Sequence, residues 1–187
     1  MPRNLELKLK VSSLDRVRQR ISVLTEQRAL EIEQEDTFFD VPDQRIKLRI
    51  TSPGQAELIT YQRADIPGPR LSHYTRQPQV DPVATQNKLS QQFKIRGVIK
   101  KRRSVYFLKQ ARIHLDVVAG LGTFVELEVG LTEKRTQKDG MAIIQELVHR
   151  LSLQDAQPVA EAYIDLVTRP QKRFFPRCYE YRIFKNI

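Results

Sequence analysis

The sequence has few of the features that disulfide-rich, membrane-spanning and secreted proteins depend on. Its 187 residues include a single cysteine, Cys178, so no internal disulfide can form, which agrees with a reducing compartment. It contains no run of about 18 apolar residues, so the sequence predicts no membrane-spanning helix. The first residues lead into a charged segment instead of an apolar signal sequence, and we therefore expect a cytoplasmic protein with no membrane partner.

Several catalytic and metal-binding patterns are also missing from the sequence. The three histidines, His73, His114 and His149, lack the spacing of zinc ligands. The Gly-Leu-Gly segment at 120–122 is followed neither by Lys-Ser/Thr nor by a helix start, which indicates a hairpin turn rather than a phosphate loop. We find no serine or cysteine nucleophile with a histidine partner. His114 is interpreted first as a hydrogen-bonded histidine within a sheet, and second as a phosphate contact.

The composition is that of one folded domain with a short extension. Hydrophobic residues make up 40% of the chain and charged residues 29%, which excludes a disordered protein. The length suits a single domain with a substantial core, and the sequence has no internal repeat or interdomain linker. We predict a domain over residues 1–168, followed by a basic, aromatic tail over 169–187.

The chain is strongly basic, with 32 Lys and Arg against 22 Asp and Glu, a formal net charge of +10. This balance favours polyanionic partners such as nucleotides, polyphosphate or nucleic acid. The tail at 169–187 alone contributes +5, because it has six basic residues and one acidic residue. A solubilising tail is the simpler interpretation. Its five Phe and Tyr residues keep docking or nucleic-acid stacking open.

Patterns of apolar residues predict a protein that is mainly β. Alternation with a period of two predicts eight strands, at 4–11, 29–40, 44–51, 57–63, 70–77, 97–108, 111–118 and 123–131. Prolines on both sides of the 70–77 segment favour an edge position for it. Helical spacing predicts four helices, at 13–24, 82–93, 140–151 and 159–168. Closely spaced strands with turns between them favour an antiparallel sheet or barrel in an α+β protein.

Charged residues recur on one face of the predicted strands. Side chains two residues apart share a face, so Arg45, Lys47 and Arg49 lie together, and Glu126 and Glu128 form a pair of carboxylates. The simple interpretation places the charged faces in water. The pattern recurs on at least five strands, however, so a closed sheet with a charged interior is a serious alternative. A barrel of about eight strands encloses a lumen able to hold a small ligand.

Seven segments with these features follow one another in a fixed order, at 4–8, 35–40, 45–50, 100–106, 112–116, 120–128 and 161–166. The first of them, Asn-Leu-Glu-Leu-Lys, is similar to an E-x-E-x-K motif. Taken in order, the series resembles the CYTH family of triphosphate tunnel metalloenzymes, which includes class IV adenylate cyclases, thiamine triphosphatases and inorganic triphosphatases. The likeness covers roughly residues 2–168.

The resemblance implies an eight-stranded antiparallel closed β-barrel, a tunnel with a charged interior and a few flanking helices. It implies ligands for Mg²⁺ or Mn²⁺ at Glu6, Asp116, Glu126, Glu128 and Asn4, of which the four carboxylates are also the catalytic residues. It further implies substrate contacts from Lys8, Arg45, Lys47, Arg49, Arg63, Lys101, Arg103 and Arg112. Lysine and arginine neutralise phosphate charge, while a divalent ion bridges phosphate and carboxylate oxygens and lowers the pKa of an attacking water.

Two positions depart from the pattern of the family. Asn4 stands where the opening motif has its first glutamate, and its amide oxygen can ligate a metal with one charge fewer. Gln62 stands where many members have a lysine, and we expect Arg63 to replace that lysine only if the strand carries a bulge or a shifted register. Both departures weaken the electrostatics expected of the site.

Four candidate functions follow from these expectations, in order of preference. The first is a divalent-metal-dependent phosphohydrolase that acts on inorganic tripolyphosphate, thiamine triphosphate or a nucleoside triphosphate. The second is a class IV-type adenylate cyclase that makes cyclic AMP from ATP, although the sequence identifies no pocket for the base and sugar. The third is a non-catalytic module that binds polyphosphate or a nucleotide. Nucleic-acid binding through the tail ranks fourth, and the sequence leaves a homodimer open.

Overall fold

The computed structural model describes residues 2–52 and 54–168. The predicted tail at 169–187 lies outside the described residues, and so do Cys178 and the proposed docking or nucleic-acid role of that segment. None of the described helices has the length and apolar character that a bilayer crossing needs.

The described residues form nine strands and four helices. The strands are β1 (Arg3–Lys10), β2 (Leu30–Phe39), β3 (Arg45–Ser52), β4 (Gln55–Arg63), β5 (Arg70–Pro78), β6 (Ile95–Leu108), β7 (Ala111–Val118), β8 (Gly122–Leu131) and β9 (Gln157–Pro158). The helices are α1 (Leu14–Leu24), α2 (Pro82–Gln92), α3 (Gln137–Arg150) and α4 (Tyr163–Thr168). All eight predicted strands are present and the α+β, mainly β class is confirmed. The two-residue strand β9 was not predicted, and α4 begins four residues later than predicted.

The eight long strands close into an antiparallel barrel, as predicted. Hydrogen-bonded neighbours follow the order β5-β4-β3-β2-β6-β7-β8-β1, and β1 also pairs with β5. The expected edge position of β5 is wrong, because its residues 70–73 pair with β1 on one side and its residues 72–78 pair with β4 on the other. Pro69 precedes the strand and Pro78 is its last residue, so neither proline interrupts the doubly paired part.

An apolar layer between the barrel and two helices decides which strand faces point inward. Leu7 of β1 and Leu127 of β8 are fully buried in one cluster with Ile144 of α3 and side chains of α1. Because side chains alternate along a strand, burying this outer face turns Glu6 and Lys8 toward the barrel interior. The charged faces are therefore inside the barrel, and the interpretation that places them in water is wrong.

A short cap covers one end of the barrel interior. Tyr163 and Ile164 of α4 pack against Phe38, Ile99 and Phe124 from the barrel wall, and we call this group the α4 cap. The rings of Phe124 and Tyr163 meet edge to face, with centroids 4.9 Å apart. The segment before α4 stays extended because the Val159 N–H donates to the Lys8 carbonyl, which delays the helix start. This pairing fixes the cap to β1.

A glycine brings β6 close to the α4 cap. Gly97 has a φ of +155°, and a Cβ atom at this position would lie 2.7 Å from Cδ1 of Ile164. A side chain here would therefore displace Ile164 from the apolar cluster. The absence of a side chain allows the cap to pack directly on the β6 backbone.

Candidate active site

A cavity of about 120 Å³ lies inside the barrel, and we call it the tunnel. Seven cationic side chains line it among the described residues: Lys8, Lys47, Arg49, Arg63, Arg76, Lys101 and Arg103. Four carboxylates line it as well: Glu6, Asp36, Glu126 and Glu128. This excess of positive charge in a confined space, where each charge is poorly solvated, favours a ligand that carries several negative charges.

Arg103 joins the predicted carboxylates of β7 and β8. Its guanidinium donates to both oxygens of Asp116 at 2.6 Å and to Oε2 of Glu126 at 2.7 Å. Burial raises the pKa of both carboxyl groups, but the charge of Arg103, with Lys101 near Asp116 and with Lys8 near Glu126, outweighs it and holds both below their ordinary values. Both groups therefore stay ionised at neutral pH.

Asp116 lies behind the tunnel wall and not in its lining. It is fully buried, and its Oδ2 accepts the Tyr163 hydroxyl at 2.9 Å as well as a hydrogen bond from Arg103. Lys101 adds a weaker ion pair at 3.6 Å. The oxygens of this carboxylate are therefore occupied by the groups that it orients.

Glu128 is held by residues from both neighbouring strands. The side-chain amide of Asn4 donates to Oε1 of Glu128, and Nη2 of Arg112 donates to the same oxygen at 2.6 Å. His114 is buried between the two glutamates of β8, with a ring nitrogen 3.7 Å from Glu126 and the other 3.7 Å from Glu128. Burial, helped by the charge of Arg103, lowers the pKa of His114, so the imidazole is neutral at pH 7. Its Nδ1 has no hydrogen-bond partner among the described residues.

Glu6 is bound by two arginines, one of which the sequence did not suggest. Its Oε1 lies 3.0 Å from Nε of Arg70 and 3.4 Å from Nε of Arg63. The guanidinium of Arg70 is buried and also donates to the Val159 carbonyl at 2.8 Å, which connects Glu6 to the segment before α4. Because Arg70 begins a strand with no alternating charge pattern, its sequence gives no signal of this role.

The expectation that Arg63 reaches the site only through a bulge or a shifted register in its strand is wrong. Strand β4 pairs with β3 and β5 without a bulge or a register shift. Ile59, Tyr61 and Arg63 alternate on the inner face and line the tunnel. Gln62 is exposed on the outer face, where its amide donates to the Asp43 carbonyl at 3.3 Å. Arg63 therefore faces the tunnel in a regular strand, and Gln62 removes no charge from it.

The wall formed by β2 and β3 contains a second carboxylate–cation cluster. Asp36 accepts from Nε and Nη2 of Arg49 at 2.6 and 2.7 Å, and from Nζ of Lys47 at 2.9 Å. The sequence did not assign Asp36 to the site, because its position opposite Arg49 depends on the register of β2 and β3. The pairing fixes the guanidinium of Arg49 in the tunnel wall.

Burial lowers the pKa of three lysines in the tunnel lining. Burial, together with the charge of Arg49, lowers the pKa of Lys47 to about 7. Burial likewise lowers the pKa of Lys8 to about 8, and burial with the neighbouring charge of Arg103 lowers that of Lys101 to about 8. A multiply charged anion in the tunnel would place further negative charge beside these lysines and raise all three pKa values.

Two predicted substrate contacts lie at the margin of the site. Arg45 forms an ion pair with Asp65 and lines a neighbouring cleft instead of the tunnel. Arg112, whose side chain is one-third exposed, also lies outside the tunnel lining and binds Glu128. The remaining predicted residues except Asp116 line the tunnel: Asn4, Glu6, Lys8, Lys47, Arg49, Arg63, Lys101, Arg103, Glu126 and Glu128. The tunnel also includes Tyr61, Ser72, Tyr74 and Arg76, which the sequence did not suggest.

The oxygen donors of β1 and β8 suit a hard divalent cation. Glu6 pairs directly opposite Glu128 in the β1–β8 register, while Glu126 lies two residues away on the same inner face as Glu128. Carboxylate oxygens, with the amide oxygen of Asn4, are the ligands that Mg²⁺ and Mn²⁺ prefer. The part of the chain that the structure describes contains no ready-made group of three or more such side chains around one point. An ion held by these donors would need further ligands from outside the protein, such as phosphate oxygens.

Comparison with known proteins agrees with this architecture. The sequence profile of the CYTH domain family matches residues 2–163. Adenylate cyclase CyaB from Aeromonas hydrophila is 26% identical over 169 residues, which cover 84% of this chain and 85% of the relative. The PH1012 protein from Pyrococcus horikoshii OT3 has a TM-score of 0.79 at 25% identity, covering 87% of this chain and 98% of its own.

A more distant structural neighbour shares the fold alone. It is HpAC1 from Hippeastrum, which is described as having a dominant triphosphatase activity. Its TM-score is 0.61 at 15% identity, and the likeness covers 89% of this chain and 94% of that protein.

Proposed function

This chain belongs to the CYTH domain family, and from that premise we propose that it is a divalent-metal-dependent phosphohydrolase acting on a triphosphate. The observation that carries the proposal is the tunnel lining, in which seven cations and four carboxylates face one confined cavity. Tripolyphosphate, thiamine triphosphate and nucleoside triphosphates all present the same row of phosphate oxygens to such a lining. HpAC1, with the same fold, is described as a triphosphatase, which agrees with the proposal.

In this proposal the arginines of the tunnel wall hold the phosphates in fixed positions. Asp36 binds Arg49 through two oxygens and Asp116 binds Arg103 in the same way, so both guanidinium groups are oriented before substrate arrives. Asp116 therefore has a positioning role in this proposal, because it holds Arg103 from behind the tunnel wall. This role replaces the metal ligation that the sequence led us to expect of Asp116. Lys8, Lys47 and Lys101 add point charges that can adjust to the phosphate chain.

The glutamates of β1 and β8 would hold Mg²⁺ or Mn²⁺. Glu6, Glu126 and Glu128, with the amide oxygen of Asn4, provide the protein ligands, and phosphate oxygens complete the coordination. When bound, the ion supplies neutralisation of phosphate charge and a more acidic water. The pKa of Glu126 is held well below its usual value, so this group stays ionised and serves as a ligand rather than as a general base.

The test is phosphate release by the purified protein. With Mg²⁺ or Mn²⁺, we expect inorganic phosphate from at least one of tripolyphosphate, thiamine triphosphate and ATP, and we expect EDTA to abolish it. Tight metal-dependent binding of all three compounds without product over long incubation would contradict hydrolysis and favour a binding module.

Adenylate cyclase is the second candidate, because the Aeromonas hydrophila relative carries that name at 26% identity. A cyclase forms cyclic AMP and pyrophosphate from ATP, whereas a hydrolase forms ADP and phosphate. Chromatography of the products of ATP with Mn²⁺ separates the two reactions. Cyclic AMP as the main product would replace our proposal with this one.

The binding of tripolyphosphate is expected to weaken as the pH rises above about 7. Burial lowers the pKa of Lys47 to about 7 in the free protein, and a bound polyanion raises it again. Binding near pH 8 should therefore take up protons, and the affinity should fall as the free lysine loses its charge. Isothermal titration calorimetry in two buffers of different ionisation enthalpy measures this uptake.

The variant Lys47→Arg is the control for this pH dependence. Arginine keeps its charge throughout this range, so the variant should take up fewer protons than the wild type at the same pH. The difference between the two proteins also removes the contribution from titration of tripolyphosphate itself. Equal uptake in both would show that Lys47 is not the group responsible.

A further inference from the structure

Three consecutive backbone carbonyls, at residues 159–161, each accept a hydrogen bond from a cation of the barrel. We call these three residues the carbonyl segment. The donors come from three different strands, β1, β4 and β5, and all three side chains are buried. The hydrogen-bonded pairs, with their N–O distances, are Arg70 with Val159 (2.8 Å), Arg63 with Ala160 (3.0 Å) and Lys8 with Glu161 (3.1 Å).

The carbonyl segment lies where β5 separates from β1. Strand β1 pairs with β5 as far as Glu6, and it pairs with β9 at Leu9 and Lys10. The N–H of Val159 donates to the Lys8 carbonyl, so the segment continues from β9 along β1. The segment therefore lies beside the inward-facing side chains of β1 and of the first residue of β5.

Two other cations of the tunnel wall are oriented in a different way. Arg49 and Arg103 each bind both oxygens of a buried carboxylate, which neutralises their charge as it orients them. Lys8 instead donates to a backbone carbonyl, and its Nζ lies 4.2 Å from the centroid of the Tyr163 ring. Both of these groups are neutral, so they orient the ammonium group without neutralising it.

Arg63 and Arg70 share one carboxylate. Oε1 of Glu6 lies 3.0 Å from Nε of Arg70 and 3.4 Å from Nε of Arg63. Asp65 lies 3.6 Å from Nη1 of Arg63, but it also forms an ion pair with Arg45. The carbonyl segment therefore orients two guanidinium groups whose counter-charges are shared.

We propose that the carbonyl segment is a positioning element for the phosphates of the substrate. It holds Lys8 and Arg63 in the tunnel lining, and each of these side chains has further N–H groups that can donate to phosphate oxygens. The α4 cap follows the segment directly, so the packing of the cap fixes where the two cations lie. The inference rests on the proposed function and adds residues 159–161 to its binding site.

The test loosens the α4 cap without changing a residue of the tunnel lining. Ile164 is buried in the cap, and Ile144 is buried between α3 and the barrel. Neither lines the tunnel. Ile164→Ala and Ile144→Ala remove the same atoms from a buried helix residue, so Ile144→Ala is the matched control for lost packing.

Ile164→Ala is expected to raise the Kd and the KM for tripolyphosphate about tenfold, and to change kcat by less than about twofold. The reason is that Lys8 and Arg63 bind the phosphates equally in the ground state and in the transition state, while the proposed metal ligands of β8 are untouched. Ile144→Ala should change none of these constants by more than about twofold. Titration calorimetry and steady-state kinetics, at a temperature where both variants are folded, are the measurements.

A milder pair of variants makes the same comparison if Ile164→Ala does not fold. Ile164→Val removes a single methylene group from the cap and should raise the Kd for tripolyphosphate about threefold. Ile144→Val is its control and should leave the Kd unchanged.

The opposite results would overturn the proposal. An unchanged Kd in the Ile164 variants, or an equal rise in the Ile144 controls, would show that the carbonyl segment positions nothing. A fall in kcat with an unchanged KM would contradict a role in holding the phosphates. A wild type that binds tripolyphosphate without releasing phosphate would refute hydrolysis alone, because the Kd values still test the segment. A wild type that does not bind tripolyphosphate would overturn both proposals.

Discussion

Glu126→Gln is expected to lower kcat for triphosphate hydrolysis by about two to three orders of magnitude. The substitution keeps the size of the side chain but removes the negative charge that we assign to the metal. It leaves Arg103 paired with both oxygens of Asp116, so the thermal unfolding temperature should change little. Steady-state kinetics and the metal concentration at half-maximal rate are the measurements, and the latter should rise in the variant.

Two further variants complete this experiment, one at the second glutamate of β8 and one at an exposed glutamate outside the tunnel. Glu128→Gln should also lower kcat, because Glu128 lines the same tunnel opposite Glu6. Glu133→Gln, at an exposed position after β8, is the matched control and should leave the kinetics unchanged. If turnover survives in both β8 variants, these two carboxylates do not hold a catalytic metal.

Arg103→Met is expected to reduce the free energy of unfolding by about 3–5 kcal/mol at pH 7. The guanidinium binds Asp116, which has no exposed surface, and removing it leaves a buried carboxylate with weaker partners. The pKa of Asp116, now lowered by Arg103, should rise in the variant. The folded variant would then bind more protons than the unfolded chain in mildly acidic solution, so the deficit should shrink as the pH falls from about 7 to about 5.

Chemical denaturation of both proteins across this pH range measures the effect. Arg102→Met is the matched control, since Arg102 immediately precedes Arg103 in β6 and is exposed on the outer face. We expect the control to change stability by no more than about 0.5 kcal/mol. A deficit in Arg103→Met that is equally small, or one that grows as the pH falls, would contradict the role assigned to this ion pair.

The alternation of apolar and charged residues was enough to predict the strands, but not which face of each strand points into the barrel. Leu7 and Glu6 necessarily lie on opposite sides of β1, and the sequence allowed either side to be inside. The packing of α1 and α3 on the leucine side settles the choice, and the contribution of α3 comes from residues more than a hundred positions away. The periodicity left a closed barrel with a charged interior as an alternative, and the resemblance to a known family selected it.

The errors in the predicted site come from strand register. Arg63 was expected to need a bulge because the inner face of β4 was assigned to Gln62, and a shift of one residue exchanges the two faces. Asp36 and Arg70 were missed for a related reason. Their partners, Arg49 and Glu6, become neighbours only through pairing between strands. Spacing along one strand contains no information about such pairs.

The closure of the barrel through β1 has a consequence for how the protein folds. Glu6 pairs opposite Arg70 on one side and Glu128 on the other, so β1 must wait for partners that are synthesised after it. Contacts between such distant parts of a sequence slow folding, because the intervening chain must be ordered first. A nascent or truncated chain that lacks β8 keeps only Glu6 and Asn4 of the proposed metal ligands, and we therefore expect no metal-dependent binding of a triphosphate from it. The proposed metal ligands of β1 and β8 come together only when these two strands pair.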